Sequence, residues 1–313
     1  MKTMRKYGGF FVGISLIAFL LFRTDFSEIR RAFSQFQPVI FFMLAIMQFI
    51  TMLVITAQWR LLAFHMADPI RFKSLFVMNM GGALLESVTP AAKSGGEMYK
   101  VYYLRVKEAW HSAQALSLVG VQKLCSFTTF LVLFLVALVL MLWQGIVLEG
   151  ALLHATLGFL GLVVGIVGVT LVLVFKQHKT RWFADLKKAL MRFKEKRMLW
   201  GGHVGIGLLI WFFYVLKTTV LLEAFDVSMP FVVALSATMI AYTVSMLPIT
   251  PGGLGTFEGT FVWIATRFMV DAGIALVVVL TLRLFTFWMR FLVSVVVVAF
   301  VHVKGWLPHA KTA

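Results

Sequence analysis

Leu247-Pro-Ile-Thr-Pro251-Gly-Gly-Leu-Gly255-Thr-Phe-Glu258 breaks an apolar chain with two prolines, three glycines and a carboxylate. The apolar run 230–248 leads into it, and the segment from Pro248 to Arg267 is too rich in Pro and Gly to cross lipid alone. Irregular backbone at membrane depth is tolerated only where protein or a water-filled cavity surrounds it. The run and its broken continuation therefore read as one re-entrant hairpin, 230–267. A second segment behaves alike. Glu86 to Leu104 holds Ser87-Val-Thr-Pro90, Lys93-Ser-Gly-Gly-Glu97 and Lys100, follows the apolar run 74–88, and gives a hairpin over 74–104.

The surroundings of these hairpins are those of a membrane protein. Of 313 residues, 61% are hydrophobic and only 13% charged, with a mean hydropathy of +0.93. A soluble domain of this size cannot bury so much apolar surface, whereas a bilayer requires apolar stretches of about 20 residues. The net charge of +16 sits in short basic segments between apolar runs, with no nucleic-acid motif around them,. The lone cysteine, Cys125, lies in an apolar run and excludes a disulfide within the chain,. Lys2, Arg5 and Lys6 precede an apolar stretch without a small-x-small cleavage site, so 7–22 reads as a first transmembrane helix rather than a signal peptide,.

Full crossings are expected at about 7–22, 38–58, 113–143, 152–175, 201–224 and 272–301. The segment 176–200 carries nine Lys or Arg against Asp185 and Glu195, which places it in the cytoplasm,. Counting in both directions puts both termini, Arg60 to Lys73 and Arg105 to His111 inside, and 144–150 and 224–229 outside. Arg23, Arg30, Arg31 and Arg267 are the outside exceptions. Within 179–197, Trp182, Phe183, Leu186, Leu190 and Phe193 recur at near-helical spacing among cations, as in an amphipathic helix on an anionic lipid surface,.

The two hairpins match at an offset of 161 residues: Pro69 with Pro230, Met78 with Met239, Thr89-Pro90 with Thr250-Pro251, and Glu97 with Glu258. One position out of step, Lys123-Leu124 matches Arg283-Leu284. The expected fold is an all-α polytopic membrane protein, one integral domain over 1–313. Repeat 1 spans 38–143 and repeat 2 spans 201–304, inverted relative to each other and joined by the basic linker 176–200. Inverted repeats with broken helices are a transporter signature, with the site where the breaks meet.

Candidate substrate-binding residues follow. Glu97 stands three residues after Ser94, the spacing of a capping box, so it either caps a helix or faces a polar cavity. Glu258 stands three after Gly255, which has no side chain to cap with. Two helix starts aimed at the midplane would offer free N–H donors and about half a positive charge each to an anion. Gly252 and Gly253 would let a phosphate approach the backbone, or serve close helix packing. Lys93, Lys123, Arg283 and Arg290 are the cations expected at depth, where each costs about 2.5–3.5 kcal/mol unless it faces protein or water. Lys123 either neutralises Glu86 or Glu97 or binds phosphate; Arg283 stands in the same relation to Glu258. No zinc, Walker, nucleophile-elbow or paired-cysteine motif occurs, and the reading calls for no metal, cofactor or catalytic residue,.

The elements Thr89-Pro-Ala-Ala-Lys-Ser-Gly-Gly-Glu97 and Leu247-Pro-Ile-Thr-Pro-Gly-Gly-Leu-Gly-Thr-Phe-Glu258 resemble the lysylphosphatidylglycerol synthase transmembrane-region family, the flippase part of the multiple peptide resistance factor. The resemblance covers nearly the whole chain. It implies movement of aminoacylated phosphatidylglycerol, or of a polyprenyl-phosphate-linked or glycolipid headgroup, between leaflets of the bacterial inner membrane. Full-length members append a soluble aminoacyl transferase, for which this chain has no counterpart after its last helix, so the expectation is a non-enzyme. Thr89, Pro90, Thr250, Pro251 and Gly255 join the candidate site as parts of the matched motifs. The expected partners are a membrane phospholipid or lipid-linked substrate and an anionic lipid surface, with a separate lipid synthase and a homo-oligomer left open and nucleic acid excluded. The rival readings are a secondary transporter of a small soluble solute and a non-transporting membrane partner of a lipid-modifying enzyme.

Overall fold

The computed structural model describes residues 37–66, 69–88, 94–143, 197–247 and 250–303, with 145, 150, 153–154, 157–158 and 161. Among these residues the chain is helical and contains no strand. The helices are α1 Pro38–Met66, α2 Phe72–Val88, α3 Ser94–Lys107, α4 Ser112–Trp143, α5 Arg197–Ala224, α6 Phe231–Met246, α7 Thr256–Arg267, α8 Ala272–Arg283 and α9 Arg290–Val303. One 3-10 turn, Pro251–Gly253, precedes α7, and a π-helical segment, Leu284–Met289, joins α8 to α9 into one long helix.

Four helices are long and apolar enough to cross a membrane: Pro38–Met66, Ser112–Trp143, Gly201–Ala224 and Ala272–Val303. They coincide with four of the six expected crossings. The crossing at 7–22, most of that at 152–175 and nearly all of the basic linker lie outside the described residues. Two boundaries differ from expectation. Helix α1 continues past 58 to Met66, and α5 begins at Arg197, inside the segment expected as linker. Charged residues such as Arg60 end an apolar window but do not end a helix, because Arg is a good helix former.

The order long, short, short, long occurs twice: α1–α4, then α5 to the joined α8–α9. The short helices span 12 to 17 residues. At 1.5 Å per residue even 17 residues reach only about 26 Å, short of the roughly 30 Å hydrocarbon core. Within each set the short pair packs together, α2 on α3 and α6 on α7. Across the sets α2 packs on α9, α6 on α4, and α1 on α5, so exchanging the sets turns the first pairing into the second and returns the third to itself.

Local chemistry explains the element starts. Pro38 occupies a first-turn position, where its missing N–H costs nothing,. The Asp271 carboxylate accepts from the N–H groups of Gly273 and Ile274 at 2.7 and 3.0 Å and caps α8,. Helices α2 and α3 approach backbone to backbone. A Cβ on Gly96 would collide with the Gly82 carbonyl, and one on Gly82 would stand 2.8 Å from Lys100. Hydroxyls inside the bundle are satisfied on their own helix, as where Thr51, Thr56 and Thr129 donate to carbonyls four residues earlier,. Cys125 is free and buried.

Candidate functional site

Between the two helix sets lies a cavity of about 640 Å³. Its charged lining comes from both: Glu86 on α2, Glu97 and Lys100 on α3, Lys123 on α4, Arg283 on α8 and Arg290 on α9. Thr250, Gly252 and Gly253 also reach it, and Trp59, Trp211, Tyr214 and Tyr242 give it aromatic walls. A cation inside a membrane bundle is tolerated where it meets a counter-charge or a water-accessible space, and here each has at least one of the two.

Glu97 is the centre of one charge cluster. Its Oε1 accepts from Lys123 Nζ at 2.8 Å and from Lys100 Nζ at 3.0 Å, one turn along α3. Lys100 is buried and lies 4.9 Å over the Trp59 ring, whereas the Lys123 side chain is 46% exposed. The second Glu97 oxygen is buried without a hydrogen-bond partner among the described residues. Of the two expectations for Glu97, the cavity position therefore holds, and its described bonds go to lysines.

The equivalent cluster in the second set is closed. Arg283 Nε donates to Glu258 Oε1 at 3.0 Å, and Arg283 Nη2 donates to the Gly252 carbonyl at 2.6 Å. Glu258 Oε2 accepts from the Gly255 N–H at 2.7 Å. The glutamate thus performs the capping that glycine cannot. Both its oxygens are engaged, its side chain is 1% exposed, and it does not line the cavity. This corrects the expectation that Glu258 meets the substrate: it holds Arg283 and the Gly255 N–H in place. The guanidinium is further enclosed by the Phe257 and Phe287 rings, 5.2 and 4.6 Å away.

The glycines of the tip need a second correction. Gly252, Gly253 and Gly255 have φ of 62°, 68° and 80°, the left-handed region that side chains disfavour,. A Cβ at Gly252 would lie 2.5 Å from Phe287, and one at Gly253 2.5 Å from Ser245. The room left by the missing side chains is filled by the protein itself. The glycines allow the tight turn and its packing.

Arg290 Nη2 meets Glu86 Oε2 at 3.2 Å. Glu86 thus pairs across the two sets with Arg290, whereas Lys123 takes Glu97. Thr89, Pro90 and Lys93 lie outside the described residues, as does the side chain of Pro251. The sequence reading overlooked Lys217, which sits fully buried inside an apolar run. Its Nζ donates to Gln48 Oε1 at 2.5 Å and Thr51 Oγ1 at 3.3 Å, 4.4 Å over the Tyr214 ring. The signal was a lone cation in a membrane helix, with no matching charge in the other repeat to draw attention to it. Also overlooked were Gln58, Asn79 and Gln122, uncharged polar residues that line the cavity.

With the cavity and its charges in place, sequence comparison decides the family. Residues 8–294 match the lysylphosphatidylglycerol synthase TM region. The chain belongs to this family. Relatives of the lysylphosphatidylglycerol synthase TM-region chain include two proteins named UPF0104 membrane protein from Methanothermobacter thermautotrophicus. One is 25% identical over 89% of this chain and 90% of its own length; the other is 23% identical over 80% and 81%. A UPF0104 membrane protein of Methanocaldococcus jannaschii is 23% identical over 77% of this chain and 79% of its own. Membership accords with the helical architecture: a multi-pass membrane protein with apolar helices on the outside and charge gathered within.

Proposed function

We propose that this protein moves a phosphate-bearing lipid between membrane leaflets, with the headgroup in the cavity and the acyl chains in the bilayer. The single observation that carries the reading is the charge of the cavity. Lys100, Lys123, Arg283 and Arg290 stand against Glu86, Glu97 and the enclosed Glu258, one cation in excess. A phosphodiester supplies the missing negative charge. Lys123, the most exposed of the cations with a single carboxylate contact, and Arg290, with a planar fork suited to phosphate, are its first contacts,. Lys100 is tied to Glu97 beneath them, and Arg283 holds the second hairpin tip.

The paired packing of the helix sets supports an inverted repeat, in which two short-helix hairpins enter from opposite faces and meet at the cavity,. In this arrangement the termini and the basic segment 176–200 face the cytoplasm. Lipidomics of a deletion strain, resolved by leaflet, tests the function in the cell. Accumulation of one phospholipid class in the leaflet where it is made supports the reading. An unchanged leaflet distribution, with a soluble solute accumulating instead, favours a solute transporter.

A further inference from the structure

Besides its charged side chains, the cavity is lined by three amide side chains. Gln58, Asn79 and Gln122 line the cavity and are 1%, 3% and 7% exposed. Their described bonds are long. Gln122 Nε2 reaches Gln58 Oε1 at 3.5 Å, Gln58 Nε2 reaches the His203 carbonyl at 3.4 Å, and Asn79 Nδ2 reaches Thr56 Oγ1 at 3.3 Å. Ordinary N–H···O bonds cluster near 2.9–3.0 Å. Asn79 Oδ1 is buried with no partner among the described residues. Turning the amide over does not cure this, because one end meets Thr56 and the other still has no partner among the described residues,. A buried amide oxygen without a partner, beside loosely engaged amides on a cavity lining, calls for a further hydrogen-bonding group,.

The charges say what kind of ligand. Glu86, Glu97 and Glu258 each already hold a cation at 2.8 to 3.2 Å. Only Glu97 Oε2 has no partner among the described residues, and Glu97 already stands against two lysines through its other oxygen, so the cavity keeps a surplus of positive charge. A headgroup bringing further cations would be repelled, while one bringing hydroxyls would be held. Hydroxyls both donate and accept, so they match an amide acceptor such as Asn79 Oδ1 and amide donors such as those of Gln58 and Gln122,.

We infer that the amide cluster is a headgroup subsite for vicinal hydroxyls, so that the preferred lipid is an anionic phosphodiester bearing a neutral glycerol or sugar alcohol, not a cationic aminoacyl headgroup. This rests on the reading of the cavity as a lipid headgroup site. It differs from what the family description alone would suggest, since a lysyl group carries two ammoniums.

The test is thermal stabilisation of the purified full chain in detergent by four lipids with identical acyl chains. Phosphatidylglycerol and phosphatidylinositol carry hydroxyls, phosphatidylmethanol carries the same phosphodiester without them, and lysylphosphatidylglycerol carries ammoniums. The two hydroxylated lipids are expected to bind at least about tenfold more tightly than the other two, as a site built to hydrogen-bond hydroxyls rejects analogues lacking them. A preference between glycerol and inositol separates the two sources of the diol. Asn79→Leu should bring phosphatidylglycerol down to phosphatidylmethanol. If that variant fails to fold, Gln122→Leu gives the same comparison. Equal affinities throughout, or tightest binding of lysylphosphatidylglycerol, would overturn the inference. Movement of the same lipids in proteoliposomes separates the two claims. A correct rank order of binding without movement sinks the transport reading and leaves the subsite standing.

Discussion

Arg290 and Glu86, 204 positions apart in the chain, meet at 3.2 Å on the wall of the central cavity. The contact ties the last long helix to the first short helix, whose backbones already pack together. The pair is only partly enclosed, with side chains 28% and 13% exposed. Its removal is therefore expected to cost less than a deeply buried pair, about 1–2 kcal/mol. Glu86→Gln should lower the melting temperature slightly and leave Arg290 available to phosphate. Arg290→Ala should lower both the melting temperature and lipid movement. Thermal unfolding and movement measured on the same preparations separate the two effects.

The Arg283–Glu258 pair should behave differently. Its side chains are 6% and 1% exposed, and it also holds the Gly252 carbonyl and the Gly255 N–H. Breaking such a buried pair from one side costs about 3–5 kcal/mol, because the remaining charge is stranded. Arg283→Ala is expected to destabilise strongly. Glu258→Gln should be milder, since its amide oxygen can still accept from Gly255. Equal, small melting shifts for both would contradict the stapling role.

Gly252→Ala is expected to destabilise on two counts, the left-handed backbone and the collision with Phe287. Phe287→Leu in the same chain should recover the steric part and leave the backbone part, commonly about 1 kcal/mol or more. The melting temperatures of the two single variants and the double variant report this directly. An additive loss in the double variant would show that Phe287 does not fill the space beside Gly252.

Orientation can be read in intact cells. Cys125 is buried and can be replaced by alanine to give a cysteine-free background. A cysteine at Asp226, in the turn after α5, should react with an impermeant thiol reagent. One at Lys188, in the basic segment, should react only after permeabilisation. The reverse pattern would overturn the orientation and the inverted-repeat reading with it.

Much of this architecture is written in the sequence because lipid tolerates so few exceptions. Four of the crossings stand out as apolar runs, and the broken segment at Thr250-Pro251 marks the join between two short helices. The matched Glu97 and Glu258, with Lys123 and Arg283, lead to two ion pairs that the structure forms. Partner choice was less legible. Glu86 could have served Lys123, and only the packing of α2 on α9 gives it Arg290 instead. The role of the tip glycines depends on where Phe287 comes to rest, a tertiary fact. Gln58, Asn79 and Gln122 carry no charge and recur at no fixed spacing, so nothing in the chain alone gathers them around one cavity.

The central claim is tested most directly by reconstituting the purified chain into liposomes with fluorescent phosphatidylglycerol and adding an impermeant quencher. Wild-type protein is expected to bring the inner-leaflet pool to the quencher, Lys123→Arg to keep this activity, and Lys123→Ala to lose most of it at an unchanged melting temperature. Quenching by the wild type no faster or more complete than in protein-free liposomes, with the protein shown to be folded and inserted, would contradict the claim.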